Sequence, residues 1–241
     1  MRKGYDVFGK SYGIMFRNDV HAGGSIDDEF IKEMVLLDDD SYPYLYSGVK
    51  RYDMARHELF GYARQFHGQT DRETVANVIK FTSEIAAGYD VDFKDMLFGG
   101  TEKQIIERGT DWCADMARVC AVLLQCCGIP CRIVHLANLE KAYNGHVVCE
   151  AFYEDRYGVI DPIYGYMFYG DAPISAYDIM KDNSCLRQYS ENYRGLYSAI
   201  AIGEYDPTSD KNDYTISVPN AYTSKLIYTE HNDQWIMGED R

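Results

Sequence analysis

The stretch GTDWCADMARVCAVLLQCCGIPC, residues 109–131, decides the fold. It predicts a helix for which Thr110 or Asp111 can serve as the N-cap, and which stops at Gly128, shortly before Pro130. Apolar side chains recur along it at helical spacing and predict one buried stripe, made of Met116, Ala117, Cys120, Leu123, Leu124 and Cys127. We therefore expect a helix whose apolar side faces the interior of the protein.

Cysteines are crowded in this stretch, which holds five of the chain's seven. Structural zinc sites use two closely spaced ligand pairs, and no C-x-x-C pair is present here. The odd cysteine count, without a visible export signal, favours reduced thiols over a disulfide framework. Most of the cysteines are therefore interpreted as small buried apolar residues, namely Cys120, Cys126, Cys127, Cys131, Cys149 and Cys185. Cys113 differs because it falls in the first helical turn, where unpaired backbone N–H groups favour a thiolate over a thiol.

The spacing of apolar residues is no longer helical after this segment, and three short runs rich in valine, isoleucine and aromatic residues predict strands. They are residues 131–136, 147–153 and 157–160. Glu154-Asp155-Arg156 predicts a turn between the last two, so residues near His146 and near Asp161 are expected at the same open end of a hairpin.

Helical signals dominate the chain before residue 109. Predicted helices begin near Ser25, follow the apolar spacing of residues 52–66, run from a capping-box pattern at Thr70 and Glu73 to Gly88, and follow a second such pattern at Thr101 and Gln104. A short helix is predicted for residues 176–180 and a strand for residues 214–218. The simplest organisation is a single α+β domain over 1–241, with a helical part in 1–100, a core in 101–170 and a C-terminal part with a helix and strands in 171–241.

Composition excludes several classes of protein. A formal net charge of -14 and the lack of a basic run argue against binding to the phosphate backbone of nucleic acids. No apolar stretch approaches the roughly 20 residues that a membrane-spanning helix needs, and no signal peptide is visible, so a cytoplasmic protein without membrane contact is expected. His57-Glu58 lacks the second histidine of a zinc protease, and the Asp38–Asp40 run lacks the register of a calcium loop, so no metal or cofactor is expected.

A nucleophilic cysteine needs a base, and the base needs a group that orients it. His146 opens one predicted strand and Asp161 ends the next, but a cysteine, a histidine and an aspartate alone make a weak pattern. Their surroundings make the pattern specific. The segments GTDWCADMARVCAVLLQCCGIPCRIVHL and GHVVCEAFYEDRYGVIDPIYG resemble the core of the transglutaminase-like superfamily, which includes transglutaminases, peptide N-glycanases and bacterial cysteine proteases. The matching elements are Cys113, the segment from Gly128 to Arg132, the segment from His146 to Glu150, and Asp161-Pro162.

The resemblance implies a papain-like core in which the nucleophile helix packs on an antiparallel sheet. It also implies that Cys113 is the nucleophile, His146 the base and later the acid, and Asp161 the residue that holds the imidazole. Gln104 is a candidate second donor to the oxyanion, although a capping role is favoured for it. Trp112 is a candidate wall of the substrate cleft, with a place in the core as the equal alternative.

The implied activity is that of a cysteine-dependent hydrolase, a protease or amidase, that forms a thioester with a peptide, protein or small amide substrate. Two alternatives stay open at this point. An amine could replace water as the acceptor, as in a transglutaminase, or the chain could be a non-catalytic binding module that keeps the fold.

Overall fold

The computed structural model describes residues 1–4, 33–52, 56–88, 98–140, 145–207, 214–217, 226–229 and 234–237. Most of the helix predicted to begin near Ser25 lies outside these residues. So does the last residue of the strand predicted for 214–218.

The described helices are α1 (Tyr42–Leu45), α2 (His57–Ala63), α3 (Asp71–Gly88), α4 (Glu102–Arg108), α5 (Cys113–Cys126), α6 (Ala176–Lys181) and α7 (Glu191–Gly195). Short 3₁₀ helices span Arg64–Phe66, Asn183–Gln188 and Leu196–Ser198. The described strands are β1 (Val35–Leu36), β2 (Phe98–Gly100), β3 (Cys131–Ala137), β4 (Gly145–Tyr153), β5 (Arg156–Asp161), β6 (Tyr166–Met167), β7 (Ala199–Gly203), β8 (Tyr214–Ser217), β9 (Leu226–Thr229) and β10 (Gln234–Met237). The predicted α+β class is confirmed.

The main sheet has six strands in the order β1-β7-β3-β4-β5-β6, and every neighbouring pair is antiparallel. The predicted turn between β4 and β5 is a two-residue hairpin loop, because Tyr153 pairs with Arg156 across it. Glu154 and Asp155 both have positive φ, at 52° and 62°, which is typical of a type I′ turn. The hairpin brings the start of β4 and the end of β5 to the same end of the sheet.

Three strands of this sheet were not expected from the sequence: β7, β1 and the two-residue strand β6. β7 lies between β1 and β3, so the C-terminal part of the chain supplies a strand next to the centre of the sheet. β7 is an apolar run, Ala-Ile-Ala-Ile-Gly, buried on both faces, and such a run lacks the alternation that identifies a half-buried strand. β1 has only two residues and carries too little pattern to be predicted.

The sheet separates two apolar layers because alternate residues of a strand point to opposite faces. Val147, Cys149 and Ala151 of β4 face α5 and the helices α2, α3 and α4 around it. Val148 of β4 faces the other way, into a layer formed with α6 and α7. Residues on β4 can therefore reach either layer, which becomes important at the open end of the hairpin.

Helix α5 is buried on all sides rather than along one stripe. Every residue from Asp115 to Gln125 is buried, so the prediction of a single apolar face is wrong. The reason is that the sheet covers one side of the helix while α2, α3 and α4 cover the other. The buried guanidinium of Arg118 is paired: it donates hydrogen bonds to the Tyr205 hydroxyl at 2.8 Å and to the Gly100 carbonyl at 3.0 Å.

The helix caps follow the sequence closely at α3 and α4. Around α4, Thr101 and Gln104 form the predicted capping box in both directions. At α3 the Thr70 hydroxyl accepts the Glu73 N–H at 3.1 Å as predicted, but the Glu73 carboxylate accepts the Gln69 N–H one residue before the expected position. These local signals therefore locate the helices that surround α5.

The end of α5 matches the prediction as well. Gly128 has a φ of 83°, in the left-handed region that glycine adopts without strain. The Gly128 N–H donates to the Gln125 carbonyl and the Ile129 N–H to the Leu124 carbonyl, both at 2.9 Å. This pair of bonds is a Schellman motif, which satisfies the last carbonyls of the helix.

Candidate active site

Cys113 is the first residue of α5, and the chain approaches it without a side-chain cap. The N-cap is Trp112, which has extended backbone and no capping side-chain bond. The predicted N-cap at Thr110 or Asp111 is therefore wrong. The Thr110 hydroxyl instead accepts the Trp112 N–H at 3.0 Å and closes a turn before the helix begins. No side chain of the cap competes for the N–H groups of the first turn, where Cys113 is half-buried.

His146 and Asp161 meet at the open end of the β4–β5 hairpin. Cys149 pairs with Ile160, so Asp161 lies opposite Val148 and diagonal to His146 on the same face of the sheet. His146 Nε2 lies 2.8 Å from Asp161 Oδ2, and both side chains are buried. The expected proximity of the two residues is thus a consequence of the two-residue turn and its register.

Cys113 lies near the same imidazole, and its hydrogen bonding and charge are among the causes that raise the pKa of His146. Because Nε2 faces Asp161, Nδ1 is the ring nitrogen left for the cysteine. Burial lowers the pKa of His146, but the hydrogen bonds and negative charge of Asp161 and Cys113 outweigh burial and raise it to about 10. The structure therefore places His146 within 2.8 Å of Asp161 and near Cys113, an arrangement that favours the imidazolium form.

A second buried histidine shows what the partners contribute. His135 lies on β3, paired with Val147, and is 4% exposed. Burial, together with the nearby charge of His146, lowers its pKa to about 3. The pKa values of two histidines with similar burial are thus shifted in opposite directions, because His146 has a carboxylate and a thiol beside it.

Asp161 is held by more groups than the imidazole. Its Oδ1 accepts the backbone N–H of Ile163 at 3.0 Å and of Tyr164 at 3.3 Å, in the turn that begins at Pro162. Its Oδ2 accepts the Tyr193 hydroxyl at 2.7 Å as well as the imidazole. A fully buried carboxylate with four donors is fixed in position and kept ready to accept from His146.

Tyr193 is the residue of this site that sequence reasoning missed. It lies on α7, in the layer on the face of the sheet opposite α5, and is 7% exposed. Ser190 caps α7 by accepting the Tyr193 N–H at 3.2 Å, a signal that could have located the helix. No local pattern indicates which of the 22 tyrosines would reach Asp161.

A buried ionic network holds the first turn of α5 in place. The Asp115 carboxylate, 2% exposed, accepts the Gly99 N–H at 2.9 Å and lies 3.3 Å from the Arg108 guanidinium. Arg108 also donates to the Gly99 carbonyl at 3.1 Å. Burial raises the pKa of Asp115 against the opposing effect of Arg118 and these donors. The network ties β2 and the end of α4 to the first turn of α5, next to Cys113.

Two motif residues of the family resemblance turn out to form a buried ion pair away from Cys113. Arg132 on β3 and Glu150 on β4 pair in register, with the guanidinium 2.7 Å from the carboxylate. Arg132 also lies 3.8 Å over the Tyr157 ring, and Glu150 accepts the Ala176 N–H at the start of α6. The pair joins the sheet to α6 at the far end of β4, and its contacts are structural.

The two remaining candidates are placed less centrally. Gln104 is exposed, and its described hydrogen bonds are those of the capping box with Thr101, so the capping role favoured by the sequence is the one the structure shows. Trp112 is half-buried beside Cys113. Its role as a cleft wall stays a prediction.

The remaining cysteines are free thiols that pack against the core. Cys120, Cys131 and Cys149 are fully buried, and Cys126, Cys127 and Cys185 are half-buried. Within the described ranges, no three histidine, cysteine, aspartate or glutamate side chains come together as a metal site requires. None of the described helices is both long and apolar enough to cross a membrane.

Comparison with known proteins returned two solved structures. One, from Cytophaga hutchinsonii, is named "Putative Cysteine Protease"; it is 22% identical over 53% of this chain and 43% of that chain, with a TM-score of 0.36. The other is named a TGase; it is 13% identical over 94% of this chain and 68% of that chain, with a TM-score of 0.35. The chain therefore spans less than half of the first structure. No family model and no curated protein matches. Both TM-scores lie below 0.5, so the function proposed next rests on the geometry of the site.

Proposed function

We propose that this protein is a cysteine-dependent hydrolase of peptide or amide bonds, with Cys113 as nucleophile, His146 as acid and base, and Asp161 as the group that orients the imidazole. One observation carries the proposal: the imidazole of His146, 2.8 Å from Asp161, lies near Cys113 at the start of a helix that has no side-chain cap. A thiolate beside an imidazolium attacks carbonyl carbon readily, and backbone N–H groups of the first helical turn would stabilise the oxyanion.

The reaction has two halves. In the first, the Cys113 thiolate attacks the carbonyl carbon, the C–N bond breaks, and the imidazolium gives its proton to the departing amine, which leaves a thioester. In the second, water attacks the thioester, His146 takes a proton from that water, and the C–S bond breaks. The products are a carboxylic acid and the regenerated thiolate–imidazolium pair. Asp161 stays ionised throughout and holds the ring.

The proposal is tested by trapping the thioester. The protein is mixed with p-nitrophenyl acetate and quenched in acid, and its intact mass is measured and mapped. We expect one acetyl group on Cys113 that disappears with time, and none on Cys113→Ala, with Cys126→Ala as the matched control that still acylates. Acylation of Cys113→Ala at the same rate, without a thioester in the wild type, would overturn the proposal.

A second experiment determines whether water or an amine accepts the acyl group from the thioester. A glutamine-containing peptide library is incubated with the protein and a dansyl-labelled amine. New peptide termini or free ammonia without dansyl label support hydrolysis. Dansyl incorporation without hydrolysis makes the protein an acyltransferase and overturns the hydrolase assignment while leaving the nucleophile in place.

A further inference from the structure

A cavity of about 480 Å³ opens beside His146, in the layer that contains α7. Its volume lies in the range of roughly 300–1,000 Å³ that small-molecule sites occupy. Half of its ten lining residues are His146 and four tyrosines, which are Tyr164, Tyr166, Tyr189 and Tyr193. The cavity thus shares His146 with the proposed active site.

The tyrosine rings form a connected wall. The ring of Tyr166 is 4.6 Å from that of Tyr189, 5.4 Å from that of Tyr164 and 5.6 Å from that of Tyr193, as measured between centroids. The Tyr164 ring is 5.7 Å from the imidazole of His146. Tyr164 is 55% exposed, so the wall reaches the surface and the cavity is open to a ligand. Rings at these separations present faces and edges on which another ring can stack.

The rest of the lining is uncharged and combines three polar side chains with Gly145 and Leu196. Gln188, Ser190 and Asn192 stand at the exposed rim, and His146 is the lining residue that carries charge. A cation in this cavity would lose water and meet the imidazolium, and an anion would lose water to meet an imidazolium that is already paired with Asp161. The lining therefore suits an uncharged ring with hydrogen-bonding groups at its edge.

The place of the cavity indicates which part of the substrate it would hold. In the proposed reaction His146 gives its proton to the departing amine, so the amine side of the broken bond lies next to the imidazole. We propose that the tyrosine-walled cavity receives an uncharged aromatic group on the amine side of the bond that is cleaved. This inference rests on the proposed function, because it takes Cys113 and His146 as the reacting groups.

The test measures alkylation of Cys113 by a series of N-substituted iodoacetamides that carry phenethyl, butyl, aminobutyl, carboxyethyl or pyranosyl groups. Rates are normalised by reaction with glutathione. We expect the phenethyl reagent to react about tenfold faster than the butyl reagent and faster still than the two charged ones, in line with the stacking of one buried ring. A preference for the pyranosyl or a charged reagent over phenethyl would overturn the inference.

Variants show whether the wall is responsible. Tyr166→Ala and Tyr189→Ala should lower the ratio of the phenethyl rate to the rate with unsubstituted iodoacetamide, whereas Tyr166→Phe should keep that ratio because it keeps the ring. Tyr44→Ala is the matched control, since Tyr44 is 61% exposed and lies outside the site. A phenethyl preference unchanged in both alanine variants contradicts the inference. If unsubstituted iodoacetamide reacts with Cys113 no faster than with an ordinary thiol, the proposed function itself fails. If unsubstituted iodoacetamide reacts fast with Cys113 but the N-substituted reagents show no selectivity, the cavity inference alone is refuted.

Discussion

The two ends of α5 carry the same residue type in opposite circumstances. At its end, Cys126 and Cys127 donate to the carbonyls of Arg56 and Ala63, and the Schellman motif at Gly128 satisfies the helix carbonyls. Burial is the main cause that raises the pKa of Cys126 to about 12 and that of Cys127 to about 11. At its start, Cys113 lies near the imidazole of His146, in a first turn without a side-chain cap. The comparison teaches that, in the proposed function, position on the helix and the neighbouring imidazole set Cys113 apart, whatever the number of cysteines nearby.

The largest effect is expected when the cysteine at the start of α5 is removed and compared with removal of one at its end. Cys113→Ala should abolish hydrolysis, because no other group at the site can form the thioester. Cys126→Ala should keep the wild-type rate. Turnover of the peptide substrate found in the library experiment measures both. Equal losses in the two variants would show that the ends of the helix are not chemically distinct.

The next largest effect is expected for the imidazole. His146→Ala should reduce kcat by roughly 10²–10⁴, the usual contribution of a positioned acid and base.

The same variant should change how stability depends on pH. The folded-state pKa of His146 is raised from 6.5 to about 10, so the protonated ring stabilises the fold. That contribution is complete below about pH 6.5 and is lost as the pH rises towards 10. The difference in free energy of unfolding between wild type and His146→Ala, measured in urea, should therefore shrink across this window. A constant difference would mean that the imidazole has no ionised partners in the folded state.

A smaller effect tests the orientation of that imidazole. Tyr193→Phe removes one of the two donors to Asp161 Oδ2 and should lower kcat about tenfold, since a hydrogen bond to a charged group contributes roughly 1.5–3 kcal/mol. The KM should change less, and the pH dependence of kcat should shift because the carboxylate then holds the imidazole differently. Tyr153→Phe is the control: Tyr153 is buried on β4, and its hydroxyl has no hydrogen-bond partner among the described residues. Matching pH profiles for the two variants would assign Tyr193 a packing role only.

The smallest effect belongs to the other end of the helix. Gly128→Ala places a side chain at a φ of 83° and should destabilise the fold by about 1 kcal/mol. Turnover per folded molecule should stay at the wild-type value. A loss of turnover with unchanged stability would indicate that the two ends of α5 are coupled.

The sequence indicated those features that depend on local signals. The boundaries of α4 and the end of α5 follow from a capping box and a glycine, and the β4–β5 turn follows from Glu154 and Asp155. The proximity of His146 and Asp161 was accessible because two residues of turn set the register of the hairpin.

Long-range packing accounts for what the sequence did not indicate. The hydrogen bond from Tyr193 joins residues 32 positions apart and depends on how α7 packs on the sheet. The position of β7 beside β3 and the burial of α5 on every side likewise arise from tertiary contacts. The N-cap of α5 was misplaced because the Thr110 hydroxyl closes a turn before the helix instead of capping it.

The most direct test of the difference between the two ends of α5 is limited alkylation of the native protein at neutral pH. Iodoacetamide is added below the total thiol concentration, and all seven cysteines are followed by peptide mass spectrometry. We predict that Cys113 is modified first and faster than a free thiol in a peptide, while Cys126 and Cys127 stay largely unmodified. Modification of Cys126 or Cys127 at the same rate as Cys113 would contradict the account.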